Sequence, residues 1–509
     1  MKSVASLALA WAVLTCSSPT ATAESWTHYR GPTHDGIYAA PIRTDWNAQP
    51  PRRLWRIPMG PALSSLSIAG GRVFTQARRN VSGEPREFTV ALDTATGREL
   101  WAVNLDVADY PDGGVGSDDG PRSTPVIDGD RVYVFTSYLR LVCLEAASGR
   151  EVWRRDFRAE LGANVIDWQN AASPLVLGDL IFINANTSPD RITAVRKSDG
   201  TTAWRDHDER MTQSTPVYAT IAGVPQVVFF TQAGLLAVKP EDGTALWRFP
   251  FSFSTSTAAS PVVASNLVYC SAAYGVGAGA ARITPSGNGL AAAQAWKSRN
   301  ANMNHWSTPV HHQGFLYGVY GQSSLSLRCV NAATGAELWR EPSVDGSEVG
   351  YGSILKVQDL LLVQTESGRL ALGAPNTNGF TVLASFQGAE GKCWNTPALS
   401  DGILYARSTS EVVAYDVAPP RPATPLQFKG VPSIAQGRAR LSVATPDGSA
   451  VDATRLTKLR LLSSTSLASP VATWTVEDAA PSLQGNEVRF DAPFRDADAQ
   501  RYFQLREQP

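Results

Sequence analysis

Ala91–Trp101, ALDTATGRELW, is the stretch from which the rest of the chain can be read. It returns as Leu144–Trp153 (LEAASGREVW), Val195–Trp204 (VRKSDGTTAW), Val238–Trp247 (VKPEDGTALW) and Val330–Trp339 (VNAATGAELW). Each copy is a strand end, a polar turn closed by Gly, and a new strand opening on Trp. A short acceptor such as Asp93 can bond turn amides, Gly97 makes a positive φ cheap, and Trp101 brings a large apolar ring back onto a neighbour. With Trp55 and Trp296 added, the tryptophans Trp55, Trp101, Trp153, Trp204, Trp247, Trp296 and Trp339 recur at roughly 40 to 50 residues, the range of four-stranded propeller blades. They are read as blade-docking residues.

Between these units the order is inner strand, tight turn, second strand, third strand, Gly turn, Trp strand. The inner strands open on a recurring signal, at Ser123-Thr124-Pro125, Ser173-Pro174, Ser214-Thr215-Pro216, Ser260-Pro261, Ser307-Thr308-Pro309 and Asn395-Thr396-Pro397. Ser65–Ile68 and Ser353–Leu355 are weaker versions, which makes eight. The seventh repeat carries Phe386 in place of Trp, and the eighth stops at Val412–Asp416 without an outer strand. Arg52–Met59 reads as an outer strand with no inner strands before it. The expectation is an all-β chain with an eight-bladed β-propeller, closed by its own N-terminal strand so that no sheet edge is left open.

A chain of 509 residues exceeds one ordinary core unless it is a repeat array. A net charge of −1 offers no basic face of the size that nucleic acid needs. Lys2, the apolar run Val4–Leu14 and Ala21-Thr22-Ala23 predict a signal peptide over residues 1–23, hence export to the periplasm or the extracellular space. Lipid anchoring at Cys16 is the lesser alternative, because Thr15 fits a lipoprotein box poorly. No later run is long enough to span a bilayer, and a monomer is expected. Cys143, Cys270, Cys329 and Cys393 each sit alone in a different repeat, which predicts four separate buried thiols.

The propeller is expected over residues 24–417. Ala418–Pro425 (APPRPATP) is a stiff proline-rich linker. Residues 426–509 predict a small β-sandwich, with strands near Ala439–Val443, Lys458–Leu462, Ala472–Val476, Glu487–Phe490 and Tyr502–Leu505.

The Gly-closed Trp units, the opening run Trp26–Gly36 (WTHYRGPTHDG) and Gly391–Pro397 (GKCWNTP) make residues 26–417 resemble PQQ-binding-like β-propeller repeat proteins. The resemblance implies the propeller fold. Its functional implications diverge, because such repeats occur in quinoprotein dehydrogenases and also in propellers that bind no quinone, among them the lipoprotein of outer-membrane barrel assembly. The first branch implies a PQQ-dependent oxidoreductase for an alcohol or sugar, with PQQ and calcium as cofactors. The second implies a scaffold that binds a ligand or a protein partner without catalysis.

In this strand order the segments before the inner strands gather on one face around the axis. The candidate ligand residues are therefore Arg122, Asp167, Trp168, Asn304, His305, Trp306, Tyr351, Lys392 and Trp394, with Asn170, Gln213 and Asn395 at matching positions. Cations, amides and aromatic faces suit a small planar anion better than a metal. Asp118, Asp119 and Asp167 are the acids nearest these openings, and neither an adjacent cysteine pair nor a haem motif accompanies them. His305 reads first as a histidine that bonds a neighbouring loop and second as a base, while His311-His312 is expected in a solvated turn. Gly275-Val276-Gly277 follows a strand but opens no helix, so it reads as a loop and not a nucleotide site.

Overall fold

The computed structural model describes residues 25–110, 119–287, 289–419, 424–493 and 501–507. The expected signal peptide, Asp118 and half of the expected linker, residues 420–423, fall outside them. The chain divides into two compact units, one ending at Pro419 and one beginning at Pro420.

The first unit is an all-β propeller built from four-stranded antiparallel sheets, one of which gains Ile37–Tyr38 as a fifth, parallel strand. Their innermost strands are Ser67–Ala69, Val126–Asp128, Leu175–Leu177, Val217–Ile221, Val262–Ala264, Val310–His312, Ser353–Val357 and Ala398–Ser400. They are taken below as belonging to the first to eighth sheets. Inner strands touch from the first through the fourth and from the fifth through the seventh, and the first also meets the eighth. Arg52–Pro58 pairs antiparallel with Glu411–Asp416 and so lies at the outer edge of the eighth sheet. His311 and His312 lie on the sixth inner strand, partly buried, and not in the turn expected for them, because the turn follows one residue later at Gln313-Gly314.

The repeated residues do their work between sheets. Gly149 has φ of 73°, and a Cβ there would lie 2.7 Å from the Trp101 ring. The Trp101 Nε1 also donates to the Ala146 carbonyl of the same turn at 3.1 Å. The same docking joins Trp55 to Gly97, Trp153 to Gly200, Trp204 to Gly243 and Trp296 to Gly335. Trp247 departs from it, since the fifth sheet has the long hairpin Gly277–Ser298 in place of the turn. Its indole instead bonds Gln226 in its own sheet at 2.5 Å. Trp339 reaches the Asn376 carbonyl at 2.7 Å.

The Ser-Thr-Pro signal forms a second belt, close to the axis. The amide of Ser65 donates to the Thr124 hydroxyl at 3.0 Å, Thr124 to Ser173 at 2.8 Å, Ser173 to Thr215 at 2.9 Å and Ser260 to Thr308 at 2.9 Å. Thr396 donates to the Ser65 hydroxyl at 2.9 Å and joins the eighth sheet to the first. The fully buried Arg407 spans the same junction, donating to the carbonyls of Gln76 at 2.6 Å and Gly60 at 3.0 Å. Apolar packing follows the same plan: Phe74 and Ala91 of the first sheet share a cluster with Ile127, Val132 and Leu144 of the second.

Among the described residues the second unit has two sheets. One runs in the order Gln427–Ala435, Arg438–Ala444, Glu487–Pro493, Ser482–Gln484, and the other Thr475–Val476, Leu459–Ser464, Tyr502–Glu507. Leu441, Val443, Leu461, Val488 and Phe490 form its core. Gln427–Ala435 was not expected as a strand, because its Gly430 and Pro432 break the pattern; a register shift between Lys429 and Ser433 accommodates them. Ala472 falls in a short 3-10 turn, so that strand is reduced to Thr475–Val476.

Candidate functional site

The segments that lead into the inner strands enclose a cavity of about 480 Å³ on the axis, and all eight sheets contribute to its wall. Ser65, Thr124, Ser173, Thr215, Ser307, Ser353 and Thr396 form a hydroxyl collar around it, while aromatic and charged side chains form the mouth.

The aromatic wall is continuous. Trp306 stacks on Trp394 with ring centroids 4.5 Å apart at 30°, and it also meets Tyr351 at 4.4 Å and His305 at 3.9 Å. Tyr274 meets the His305 edge at 4.8 Å. Glu366 fixes two of these groups, accepting from the Trp394 indole at 2.7 Å and from the Tyr351 amide at 3.1 Å. The Tyr351 hydroxyl donates to the Gln322 carbonyl at 3.0 Å. Across the cavity, Trp168 has φ of 61° and Gln169 φ of 55°. Two consecutive non-glycine residues in the left-handed region cost roughly 1–2 kcal/mol each. Gln213 helps hold them there, its amide nitrogen donating to the carbonyls of Asp167 at 2.9 Å and Gln169 at 3.3 Å.

The charged groups differ in how well they are matched. The Lys392 ammonium lies 3.7 Å from the Trp394 ring centroid and 2.6 Å from the Asp119 carboxylate, so its charge is neutralised within the protein. Arg122 lines the cavity with its guanidinium carbon 5.9 Å from the Tyr110 ring centroid, and its buried Nη1 has no hydrogen-bond partner among the described residues. Burial lowers the Arg122 pKa below the ordinary guanidinium value, with Tyr110, Asp119 and Glu87 partly offsetting it. Burial also pushes the His305 pKa down to about 4, so the imidazole is neutral at neutral pH. His305 Nδ1, Trp306 Nε1 and Ser307 Oγ are likewise buried and unpartnered.

Of the residues expected at the site, Arg122, Trp168, His305, Trp306, Tyr351 and Trp394 line one cavity. Asn304 is fully buried outside the wall, donating to the Val319 carbonyl at 2.6 Å and accepting from the Tyr269 hydroxyl at 2.5 Å. Asp167 is exposed, and Lys392 stands behind Trp394. Tyr29, Tyr274 and Ser256 were missed. Tyr274 and Ser256 belong to the irregular fifth repeat, where position in the repeat gives no guide.

Residues 86–341 match the family described as outer membrane protein assembly factor BamB, a PQQ-type repeat family. The chain belongs to that family. No curated protein matches its sequence. Among solved structures, the quinohemoprotein alcohol dehydrogenase of Comamonas testosteroni superposes with a TM-score of 0.56 at 12% identity, over 80% of this chain and 83% of that one. The ADHIIG quinohemoprotein alcohol dehydrogenase of Pseudomonas putida HK5 gives 0.53 at 13%, again over 80% and 83%. BamB from Moraxella catarrhalis gives 0.49 at 16%, over 72% of this chain and 97% of that one. At these identities the likeness is one of propeller fold.

A quinone held with calcium needs a cluster of carboxylate and amide oxygens beside the ring. Among the described residues no three His, Cys, Asp or Glu side chains gather as a metal site. Asp119, which lines the cavity, is engaged by Lys392, and Glu366 is engaged by Trp394 and Tyr351. Among the described residues no carboxylate bonds His305 Nδ1 to orient the ring as a base would require. The described residues do not fit the quinone–calcium pair. Cys143, Cys270, Cys329 and Cys393 are free and buried, and burial raises each thiol's pKa.

Proposed function

We propose that this chain is an exported, eight-bladed PQQ-like propeller that binds a small, planar, anionic ligand at one end of its axis and performs no chemistry on it. One observation carries the reading. Arg122 Nη1, Trp306 Nε1, Ser307 Oγ and His305 Nδ1 are all buried without partners around a single cavity that has an aromatic wall. Unmatched buried polar atoms cost roughly 1–3 kcal/mol each, and an occupant carrying a carboxylate and a ring would accept from Arg122, Trp306 and Ser307 once those buried atoms turn toward the cavity.

The eight sheets, the pairing of Arg52–Pro58 with Glu411–Asp416 and the Thr396 to Ser65 bond support the closed eight-bladed ring. The expected signal peptide supports export, and among the described residues no helix is long and apolar enough to cross a membrane. The scaffold role extends to a protein partner, as the family's description of an assembly factor suggests. The second reading is a PQQ-dependent oxidoreductase for an alcohol or sugar. The aromatic wall and Arg122 favour it, and the committed carboxylates oppose it.

Titration of the mature chain with pyrroloquinoline quinone, used as a planar tricarboxylate probe, separates these readings. Tryptophan fluorescence should report saturable binding without calcium, and no dye should be reduced with alcohols or aldoses. Calcium-dependent turnover would establish the oxidoreductase. Failure of the probe to bind would remove the ligand site and leave the protein-partner role.

A further inference from the structure

The opening run Trp26–Gly36 has no counterpart in the repeats, and its hydrogen bonds go to one inner strand after another. Trp26 exchanges backbone bonds of 2.9 and 2.8 Å with Ile68 of the first sheet. The Thr27 carbonyl accepts from the Ile127 amide of the second at 3.0 Å, and His28 Nε2 lies 3.3 Å from the Val176 carbonyl of the third. Two residues later the partners are on the sixth sheet. Arg30 donates to the carbonyls of Thr308 at 2.8 Å and Pro309 at 2.9 Å, just before that inner strand. The Gly36 carbonyl then accepts from the Lys356 amide of the seventh at 2.8 Å, and Ile37–Tyr38 continues alongside it in parallel. A chain that bonds the third inner strand and then the sixth within three residues has to cross the space between them.

The depth of the crossing follows from the register. The cavity is lined by Ser65, Thr124, Ser173 and Ser353, whereas the run is held at Ile68, Ile127, Val176 and Lys356, each three residues further along its strand. At roughly 3.3 Å per residue the run lies about 10 Å below the hydroxyl collar. Tyr29, at the crossing, is the residue of this run that lines the cavity. The conformation leaves no slack. A Cβ on Gly36, where φ is 77°, would lie 2.5 Å from Arg30 Nη2.

We propose that Trp26–Gly36 is an axial plug that seals one end of the channel. The cavity is then a blind site with a single mouth on the Trp306 and Trp394 side, and Tyr29 is its floor and sets how deep an occupant sits. The role of Tyr29 toward an occupant rests on the ligand-binding reading above; the seal does not.

Thiol labelling of the full mature chain tests this, because the native cysteines are buried. The Tyr29→Cys variant should react with methyl methanethiosulfonate through the mouth and lose all labelling by a bulky polyethylene glycol maleimide. Thr33→Cys, at an exposed position of the same run, should react with both. Equal labelling of both variants by the bulky reagent, or no reaction of Tyr29→Cys with the small one, would overturn the plug. Hydrogen exchange on the unmodified chain gives a reading that needs no variant. The amides of Trp26, Ile127 and Lys356 should exchange as slowly as those of the inner strands, and exchange at loop rates would overturn the proposal. Protection of the introduced thiol by pyrroloquinoline quinone supports Tyr29 as the floor. Absence of protection with the two reagents still discriminated contradicts the ligand reading and leaves the seal standing.

Discussion

Arg30 is buried and Arg122 partly buried near one axis, and the terminal nitrogens of their guanidinium groups are matched differently. The two terminal nitrogens of Arg30 donate to the carbonyls of Thr308, Pro309 and Asp35, and its Nε is buried without a partner among the described residues. Arg122 faces a cavity with its Nη1 unmatched. An arginine matched by backbone carbonyls is part of the frame, because its removal strands those acceptors. An arginine left unmatched beside a cavity has no such internal role, and its fixed charge is available to an outside anion. The plug end of the axis is therefore read as structure and the mouth end as a binding site.

The largest expected effect breaks or keeps this comparison outright. Arg30→Ala leaves three carbonyls without their donor, at roughly 1–3 kcal/mol for each buried group, so a loss of about 4 kcal/mol is expected in urea unfolding. Arg122→Ala should change the midpoint little. Equal losses for the two variants would show that both arginines belong to the frame.

Trp153→Ala comes next. Its ring packs on Gly200 and its indole donates to the Lys197 carbonyl at 3.0 Å. The cost expected is about 3 kcal/mol, the low end for a large aromatic, since one face remains partly exposed. A smaller loss than for Arg122→Ala would mean that the docking tryptophans are not what holds neighbouring sheets together.

Acid should act on the plug end. Burial pushes the pKa of His28 down to about 4 and that of His34 to about 3, while the Val176 carbonyl and Asp128 partly counter the shift at His28. Both rings are therefore neutral in the fold and take up protons once unfolded, near the ordinary value of about 6.5. Their contribution is intact above pH 6.5 and is lost as the pH falls toward 4. His305, also lowered to about 4, adds a loss of the same sign. The melting temperature should fall between pH 7 and 5, and His34→Asn should flatten that fall. An unchanged slope in the variant would remove the plug histidines from the acid response.

The smallest effect concerns residues 426–509. Limited proteolysis near Pro419–Pro425 should release two folded pieces, as the division at Pro419 suggests. The propeller piece should keep the behaviour of both arginines, and unfolding of that piece on cleavage would contradict the independence of the units.

The fold was legible because its determinants are local and repeated. Trp101 and Gly149 announce sheet docking within one repeat each, and Thr124 announces the hydroxyl collar. The mouth was legible to the extent that equal repeat positions converge on the axis, which brought together Arg122, Trp306 and Trp394. Asn304 shares such a position but turns into the core, where Tyr269 and Val319 hold it. The plug was not legible, because its partners are backbone carbonyls such as that of Thr308, 278 residues from Arg30. The available signal was a compact run of Trp26, Arg30, Gly31 and Gly36 that matched no repeat.

The most direct test of the account compares wild type and Arg122→Ala in titrations with pyrroloquinoline quinone without calcium. Loss of one charge-assisted contact, roughly 1.5–3 kcal/mol, corresponds to at least about tenfold weaker binding. Saturable binding in the wild type, that loss in the variant, and coincident melting curves are expected. Equal affinity in both proteins, or no saturation in the wild type, would contradict the account.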